Sequence, residues 1–252
     1  SFAYRFNKYV PKASSSVPCT TTVNCIRRKR FCAYCPINSY NYGMVKRNDE
    51  KREPQCRQCP KDRPVTKGSL VLLDLGCKYK HYCSDISRCF PISGKFTKLQ
   101  KELYNVVLKS QKYALTLMKP GKSWSEITHK VQLKLYEECL KIKLVIPVDD
   151  DTIKVSIIQQ LMPHSLGHHV GLDNHDCGPI TTLKKDMVVA VEPGIYFQVG
   201  KDKSPHINTS VWKKYEHLGG VRIEDTIIIT DKGYKNLSKI TKEIDGIEKL
   251  MK

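Results

Sequence analysis

The distribution of apolar residues predicts regular structure from about residue 69 onward. The run SLVLLDLG (residues 69–76) is apolar and ends at a glycine, and YCSDISRCF (residues 82–90) follows a few positions later. Both stretches are short, rich in residues that favour strands, and bounded by turn-forming positions. We therefore expect the two stretches to pair as an antiparallel hairpin.

Two long helices are predicted after this hairpin. Capping-box sequences at residues 97–100 and 123–126 mark their starts. The first helix should stop before Pro120, and the second near Val145. Apolar residues at helical spacing support both helices: Leu99, Leu103, Val107, Ile127, Val131 and Leu135.

Further strands and a short closing helix complete the predicted fold. The acidic run at residues 149–151 is expected to be an exposed loop, apolar stretches at residues 187–197 and 219–230 to be strands, and residues near 241–251 to be helical. Strands, then long helices, then more strands indicate an α+β domain. Residues 1–68 show little periodicity of either kind.

Three carboxylates fall inside segments that otherwise look fit for burial. These are Asp74, Glu192 and Glu224. An isolated buried charge is costly unless it is paired or binds a metal. Arg222, two residues before Glu224, could pair with one of them but not with all three. Asp85 lies on the opposite arm of the hairpin from Asp74, where cross-strand neighbours approach within about 5 Å, so a cation is expected between the two.

Four of the eight histidines lie within twelve residues, at positions 164, 168, 169 and 175. If residues 163–170 are extended, His164 and His168 share one face and His169 faces the other way. His175 follows a turn-like stretch and can return to the same cavity. A carboxylate-rich site with few nitrogen ligands suits manganese, cobalt or a similar divalent ion.

The net charge of +18 is unevenly distributed. Residues 1–70 carry 15 Lys/Arg and 4 Asp/Glu, including the basic run at residues 27–30. A solvated basic face is the simpler interpretation, and a nucleic-acid contact is the alternative. No run of about 18 apolar residues and no secretory signal is apparent, so we expect a cytoplasmic protein with no membrane contact.

Eleven cysteines leave one unpaired under any full disulfide scheme, which favours a reducing compartment. Two C-x-x-C pairs, Cys32 with Cys35 and Cys56 with Cys59, have a spacing that suits tetrahedral zinc. Cys32 and Cys35 could instead open a buried strand.

The residues of four separate segments resemble the signature sequences of the pita-bread metallopeptidases, and among them the proline peptidases prolidase and aminopeptidase P. The segments are LLDLGCKYKHYCSDISRCFPISGKF, MPHSLGHHVGLDNHD, VEPGIYF and GGVRIEDT. LMKPGKSW and HINTSVWKKYEHLGGVRIED look most similar to eukaryotic prolidase. The resemblance implies a pita-bread catalytic domain over residues 69–252, with a curved antiparallel sheet and helices on its outer face. Residues 1–68 would be a basic, cysteine-containing segment or a degenerate start of that domain.

The resemblance also implies a role for each candidate residue. Asp74 would chelate the first of two divalent ions, His168 and Glu192 the second, and Asp85 and Glu224 would bridge both. Manganese is the leading assignment, with cobalt or zinc as alternatives. Glu192 would act as the base toward a water that bridges the ions. The candidate catalytic residues are accordingly His164, His175, Glu192 and Arg222.

The expected activity is hydrolysis of Xaa-Pro bonds, foremost in dipeptides. The alternatives are removal of the residue before proline from longer peptides, as in aminopeptidase P, and a non-catalytic pita-bread module that binds protein or nucleic acid. A short peptide substrate is the expected partner, nucleic acid is not, and the resemblance allows a homodimer.

The sequence departs from the family pattern in three places. Asn41 stands where proline peptidases have an active-site histidine, and residues 1–68 do not resemble the domain that precedes the catalytic one in these enzymes. The connection at residues 176–191 is short and omits the loop that carries an arginine for the dipeptide carboxylate in prolidase. Lys184 or Lys185 would then have to supply that cation.

Overall fold

The computed structural model describes residues 68–198 and 203–252. Within these ranges the chain alternates short strands with helices, and it includes a single turn of 3-10 helix at Glu216–Leu218. The strands and helices, in chain order, are β1 Leu70–Leu75, β2 Lys78–Tyr79, β3 Tyr82–Cys83, β4 Ile86–Pro91, α1 Lys98–Leu117, α2 Trp124–Lys141, α3 Asp151–Leu161, β5 Val188–Val191, β6 Gly194–Tyr196, α4 Thr209–Tyr215, β7 Gly220–Arg222, β8 Asp225–Ile229, β9 Tyr234–Asn236 and α5 Ile244–Leu250.

Every strand pairing in the described residues is antiparallel. β1 pairs with β4, β2 with β3, β6 with β7, and β8 lies between β5 and β9. The predicted hairpin is confirmed as the β1–β4 pair, and the β2–β3 ribbon forms its tip. Helices combined with antiparallel strands confirm the α+β class.

The two later apolar stretches were each predicted as one strand, and each is divided in two. The first is interrupted at Glu192 and Pro193, between β5 and β6, and the second at Ile223 and Glu224, between β7 and β8. Proline has no backbone N–H to donate to a neighbouring strand, which explains the first break. Both breaks therefore occur at residues that include a predicted metal ligand.

The first two helices begin where their caps predict. Thr97 and Gln100 form the reciprocal capping box of α1, with N–O distances of 3.3 and 2.9 Å. Ser123 caps α2 by accepting from the backbone of Glu126 at 3.4 Å. The second helix ends at Lys141, somewhat before the predicted limit.

The expectation of an exposed loop at residues 149–151 holds for Asp149 and Asp150, but a third helix starts at Asp151. Asp150 is the N-cap of α3, and its side chain accepts from the backbone of Thr152 at 2.6 Å. Negative side chains stabilise the positive end of a helix dipole, so an acidic run is compatible with a helix start. Neither α4 nor β9 was predicted from the sequence.

The three long helices pack side by side, α1 on α2 and α2 on α3, and α1 also contacts β5 and β7. Their buried apolar faces and the inner faces of the strands form one hydrophobic core. Among the described residues, no helix is both long and apolar enough to cross a membrane. The predicted segment 1–68, with Asn41 and the four C-x-x-C cysteines, lies outside the described residues apart from Gly68, so the zinc site stays a prediction.

Candidate metal centre

Two predicted ligands come from the β1–β4 hairpin. The backbone of Asp74 pairs with Ser87, not with Asp85. Asp85 precedes Ser87 by two residues, so its side chain leaves the same face of the hairpin and approaches Asp74 diagonally. The hairpin thus brings the two carboxylates together, although not as the direct cross-strand neighbours that the sequence suggested.

Two further carboxylates enter the site from the strand breaks. The backbone N–H of Glu192 donates to the carbonyl of Leu166 at 2.8 Å, and that of Glu224 donates to the carbonyl of Ser87 at 3.1 Å. Each break is therefore anchored to a neighbouring segment that carries or adjoins another predicted ligand. This anchoring directs both carboxylates toward the hairpin.

His168 reaches the same place from a segment that runs beside β5. The backbone N–H of Ala190 donates to the carbonyl of His168 at 2.9 Å. A Cβ atom at Gly167 would collide with the Ala190 carbonyl, so only glycine permits this close approach. Nδ1 of His168 lies 2.9 Å from the carbonyl of His169, which leaves Nε2 to face the acidic cluster.

The five predicted metal ligands converge. His168 Nε2 lies 3.5 Å from Asp85 Oδ2 and 3.6 Å from Glu192 Oε1. Three overlapping groups have candidate ligand atoms within 4.8 Å of one another. The groups are Asp85 with His168 and His175, His168 with Glu192 and Glu224, and Asp74 with Asp85 and Glu224. His169 belongs to none of these groups, in keeping with its predicted outward orientation.

The electrostatics of this cluster suit a bound cation. Burial and the neighbouring carboxylates raise the pKa of Glu224 well above its usual range. Burial is also the main reason that the pKa of Glu192 is raised to about 7 and that of Asp74 to about 6. Oε1 of Glu224 is buried and has no hydrogen-bond partner among the described residues. A divalent ion would satisfy that oxygen and remove the repulsion between the carboxylates.

Asp85 and His168 are shifted the opposite way because they face each other. Burial alone would raise the pKa of Asp85, but hydrogen bonding and charge from His168, together with Asn174, lower it. Burial alone would lower the pKa of His168, but Asp85 and Glu192 raise it. The pair therefore favours its charged form without a metal, and binding a cation would require His168 to lose its proton.

Arg222 is buried at the floor of the site, with 4% of its surface exposed. Nη2 donates to Asp74 Oδ2 at 2.6 Å, Nε donates to Ser87 Oγ at 3.0 Å, and Nη1 donates to the Tyr196 hydroxyl at 3.1 Å. Of the three carboxylates that it could have paired with, the closest contact is thus to Asp74.

His164 belongs to this hydrogen-bond chain and not to the acidic cluster. Its Nε2 lies 2.9 Å from the Tyr196 hydroxyl and its Nδ1 lies 2.7 Å from the carbonyl of Ser165. Burial and the charge of Arg222 lower the pKa of His164 to about 4, so the ring is neutral at neutral pH. Since Nδ1 must donate to a carbonyl, Nε2 accepts from the tyrosine.

His175 lies at the open side of the cluster. Its ring is 3.9 Å from that of His168, between ring centroids, with an angle of 33° between the planes. Burial and the charge of His168 lower its pKa below the usual value. A neutral imidazole at this position can donate one hydrogen bond toward a substrate beside the cluster.

The lysines considered for a substrate carboxylate lie elsewhere. Lys185 pairs with Asp231 at 2.9 Å, and the backbone of Lys184 contacts the Met187 sulfur at 3.2 Å. Both precede β5, while Glu192 follows its other end. At about 3.3 Å per residue along a strand, the length of β5 separates these lysines from the acidic cluster.

Three residues at the site were missed by sequence reasoning. Ser87 donates to Glu224 Oε2 at 2.6 Å, Asn174 donates to Asp85 Oδ2 at 2.7 Å, and Tyr196 joins Arg222 to His164. A tyrosine inside an apolar strand needs a partner for its hydroxyl, which could have drawn attention to Tyr196. Ser87 and Asn174 gave no comparable signal.

Comparison with known proteins identifies a family. The model of metallopeptidase family M24 matches residues 46–231. The probable Xaa-Pro aminopeptidase pepP of Aspergillus niger is 36% identical over 216 residues, covering 74% of this chain and 46% of that protein. An uncharacterized peptidase of Saccharomyces cerevisiae is 38% identical over 209 residues, covering 72% of this chain and 39% of that protein.

Solved structures agree with these matches. An alanine variant of Escherichia coli aminopeptidase P superposes with a TM-score of 0.66 at 36% identity, covering 77% of this chain and 43% of that one. Proline aminopeptidase P II from Yersinia pestis gives a TM-score of 0.66 at 35% identity, covering 77% and 44%. The chain spans less than half the length of each of these four proteins.

Proposed function

Because the chain belongs to metallopeptidase family M24, we propose that it hydrolyses the peptide bond before a proline with the help of two divalent metal ions. Asp74 would bind the first ion, His168 and Glu192 the second, and Asp85 and Glu224 would bridge the two. Manganese is the proposed metal, since four carboxylates and one imidazole form a hard, oxygen-rich set. The proposed fold is the pita-bread arrangement, with its sheet curved around this centre.

The observation that carries the proposal is the convergence of the five ligands around an oxygen that lacks a partner. Glu224 is 1% exposed and its Oε1 has no hydrogen bond within the described residues. A buried carboxylate among three others is costly unless a cation is present. The ion pairs of Arg222 with Asp74 at 2.6 Å and with Glu192 at 3.7 Å leave Oε1 of Glu224 without a hydrogen bond.

Two bound ions would polarise the substrate carbonyl and make water nucleophilic near neutral pH. Glu192 is suited to move a proton in the reaction, because its carboxylate lies in the cluster, with Oε1 3.6 Å from His168 Nε2. A carboxylate placed there can take a proton from water and return it to the leaving nitrogen. The nitrogen of proline carries no hydrogen in the peptide bond, so its release requires such a proton.

We assign oxyanion stabilisation to His175 and a supporting role to His164. Nε2 of His164 accepts from Tyr196 in this arrangement and has no proton to give. His175 lies beside His168 at the open side, where a donor can meet charge that develops on the substrate oxygen. Arg222 holds Asp74 and Tyr196 in place, and its positive charge compensates part of the acidic cluster.

The preferred substrate length is a second part of the proposal. Hydrolysis of a dipeptide, which the sequence favoured, calls for a cation near the substrate carboxylate, and the positions of Lys184 and Lys185 do not support either as that cation. The relatives named Xaa-Pro aminopeptidase support action on longer peptides. We therefore keep both lengths as candidates for the assay.

The test is to strip the purified chain of metal, add Mn²⁺, and measure release of glycine from Gly-Pro and from a longer peptide that begins Gly-Pro. We expect metal-dependent release from at least one substrate, and loss of activity in Asp85→Asn. Lys185→Ala is the matched control. Lys185 lies at the opposite end of β5 from Glu192 and pairs with Asp231, so its replacement should not affect turnover.

Each outcome has a definite meaning. Turnover of only the longer peptide would assign the aminopeptidase activity, and turnover of only the dipeptide would assign the dipeptidase activity. Tight binding of Mn²⁺ without turnover of either substrate would refute the proposed enzyme and favour the non-catalytic binding module.

A further inference from the structure

We propose that Asn174 is a positioning residue. It ties the turn at residues 171–177, which carries His175, to Asp85. This inference rests on the proposed function for its kinetic consequences only. The side-chain N–H of Asn174 donates to Asp85 Oδ2 at 2.7 Å across 89 residues of sequence. The same oxygen faces His168 Nε2 at 3.5 Å. One amide thus contacts a carboxylate that is proposed to bridge both metals.

The backbone of the turn is already docked on the β2–β3 ribbon. The carbonyl of Gly171 accepts from the backbone of Cys83 at 2.7 Å, and the carbonyl of Leu172 accepts from Lys78 Nζ at 2.9 Å. These bonds hold the start of the turn. Near its end, the backbone N–H of Asp176 donates to the carbonyl of His169 at 3.0 Å, and the side chain of Asn174 ties the residue immediately before His175 to Asp85.

Gly76 lies beside this contact. A Cβ atom there would collide with the carbonyl of Ser84 and would lie 3.7 Å from Asn174 Oδ1. The hairpin is therefore narrow next to Asn174, and its amide lies in van der Waals range of that position.

Two properties of the centre depend on this one contact. The first is the orientation of Asp85, because a hydrogen bond to a metal ligand restricts its rotation. The second is the position of His175 relative to the proposed ligands, because its ring lies 3.9 Å from that of His168. An amide neither gains nor loses a proton near neutral pH. The donor of the hydrogen bond from Asn174 to Asp85 is therefore unchanged over this pH range.

The test compares Asn174→Ala and Asn174→Leu with Asp173→Ala. Asp173 is exposed on the same turn, and it is the backbone carbonyl of this residue that accepts from Gly171. Mn²⁺ binding is measured by calorimetry on metal-stripped protein, and kcat and KM are measured on an Xaa-Pro peptide. Hydrogen exchange of residues 171–177 is followed in the metal-free protein.

We expect both Asn174 variants to bind at least one Mn²⁺ about 10- to 100-fold more weakly, the range for loss of a partner to a metal ligand. The value of kcat should fall while KM changes little, and hydrogen exchange of residues 171–177 should be faster. The Asp173 variant should match the wild type in all three measurements. The unfolding midpoint of the Asn174 variants separates these effects from a general loss of stability. Because Asn174 is exposed, this midpoint should stay unchanged.

Failure of this inference and failure of the proposed function give different results. Unchanged Mn²⁺ affinity and unchanged exchange in the Asn174 variants would overturn the inference, whatever the activity. A wild-type chain that binds Mn²⁺ without cleaving the peptide would refute the function, and the affinity comparison would still decide the role of Asn174. If the wild type binds no Mn²⁺, the exchange measurement decides: faster exchange supports the tie, and unchanged exchange overturns it.

Discussion

Replacing Ser87 with alanine should weaken both the metal-free fold and the metal centre. Ser87 is 0% exposed, and its hydroxyl donates to Glu224 Oε2 at 2.6 Å while it accepts from Arg222 Nε at 3.0 Å. No other hydrogen bond to the Glu224 side chain is present among the described residues, since Oε1 has none. The substitution removes one hydroxyl and leaves the carboxyl of Glu224 buried without a partner.

The expected loss follows from the protonation state of Glu224. Its raised pKa favours the neutral form in the metal-free protein, so the loss of its buried donor costs about 1–3 kcal/mol, and the loss of one acceptor for Arg222 Nε adds to this cost. With metal bound, Glu224 is charged and must be held in one orientation. Loss of the donor should then weaken metal binding by about 10- to 100-fold.

The assay is urea unfolding of the metal-free protein together with calorimetric titration of Mn²⁺. Ser110→Ala is the matched control, because Ser110 is equally buried but its hydroxyl donates at 2.8 Å to the carbonyl of Val106 in its own helix. Alanine is the better helix former, so this variant should lose no stability and keep its metal affinity. Equal stability and equal affinity for the Ser87 variant and the control would refute the role given to the Ser87 hydroxyl.

Three further predictions concern the same centre and its support. His175→Ala should lower kcat by about 10²–10³-fold, the range for loss of one oxyanion donor, with metal content unchanged by elemental analysis. His169→Ala is the control. Loss of metal from the His175 variant would indicate that His175 is a metal ligand instead. Asp225→Asn should lower the free energy of unfolding in urea by about 3–5 kcal/mol, because it breaks a buried ion pair with Arg88 whose N–O distance is 2.6 Å. A decrease below about 1 kcal/mol would contradict this. Mn²⁺ affinity should rise between pH 5 and pH 8, because protons compete with the metal for Asp74 and Glu192. The pKa of Asp74 is about 6 and that of Glu192 is about 7. An affinity that stays constant across these pH values would argue against both as ligands.

Three of the five candidate ligands could be predicted because each is chemically out of place in its own segment. Asp74 and Glu224 interrupt runs of aliphatic residues, and a charge within such a run needs an explanation that no neighbouring residue supplies. The hairpin and the two capped helices were predictable for a related reason. Their signals lie in residue types that recur within a few positions.

Local patterns failed where two interpretations share the same residues. The acidic run before α3 is typical of a loop and equally of a helix start, and the structure has the helix. The apolar stretches around Glu192 and Glu224 read as single strands, although each breaks at the carboxylate. A strand pattern by itself does not indicate where a chain leaves one partner strand for another.

The sequence by itself determined the α+β class, the family resemblance and the set of candidate ligands, because all three follow from residue identity and order. Only the tertiary structure decided which donors hold those ligands. Ser87 meets Glu224 across 137 residues, and Asn174 meets Asp85 across 89. Such contacts depend on strand register and on the packing of distant segments, and a serine or an asparagine is common enough in any sequence to carry no signal of its own. The physical reason is that a charge inside an apolar run can be recognised from its neighbouring residues, because its burial would be costly. A hydrogen bond can be recognised only after folding has brought its two atoms together.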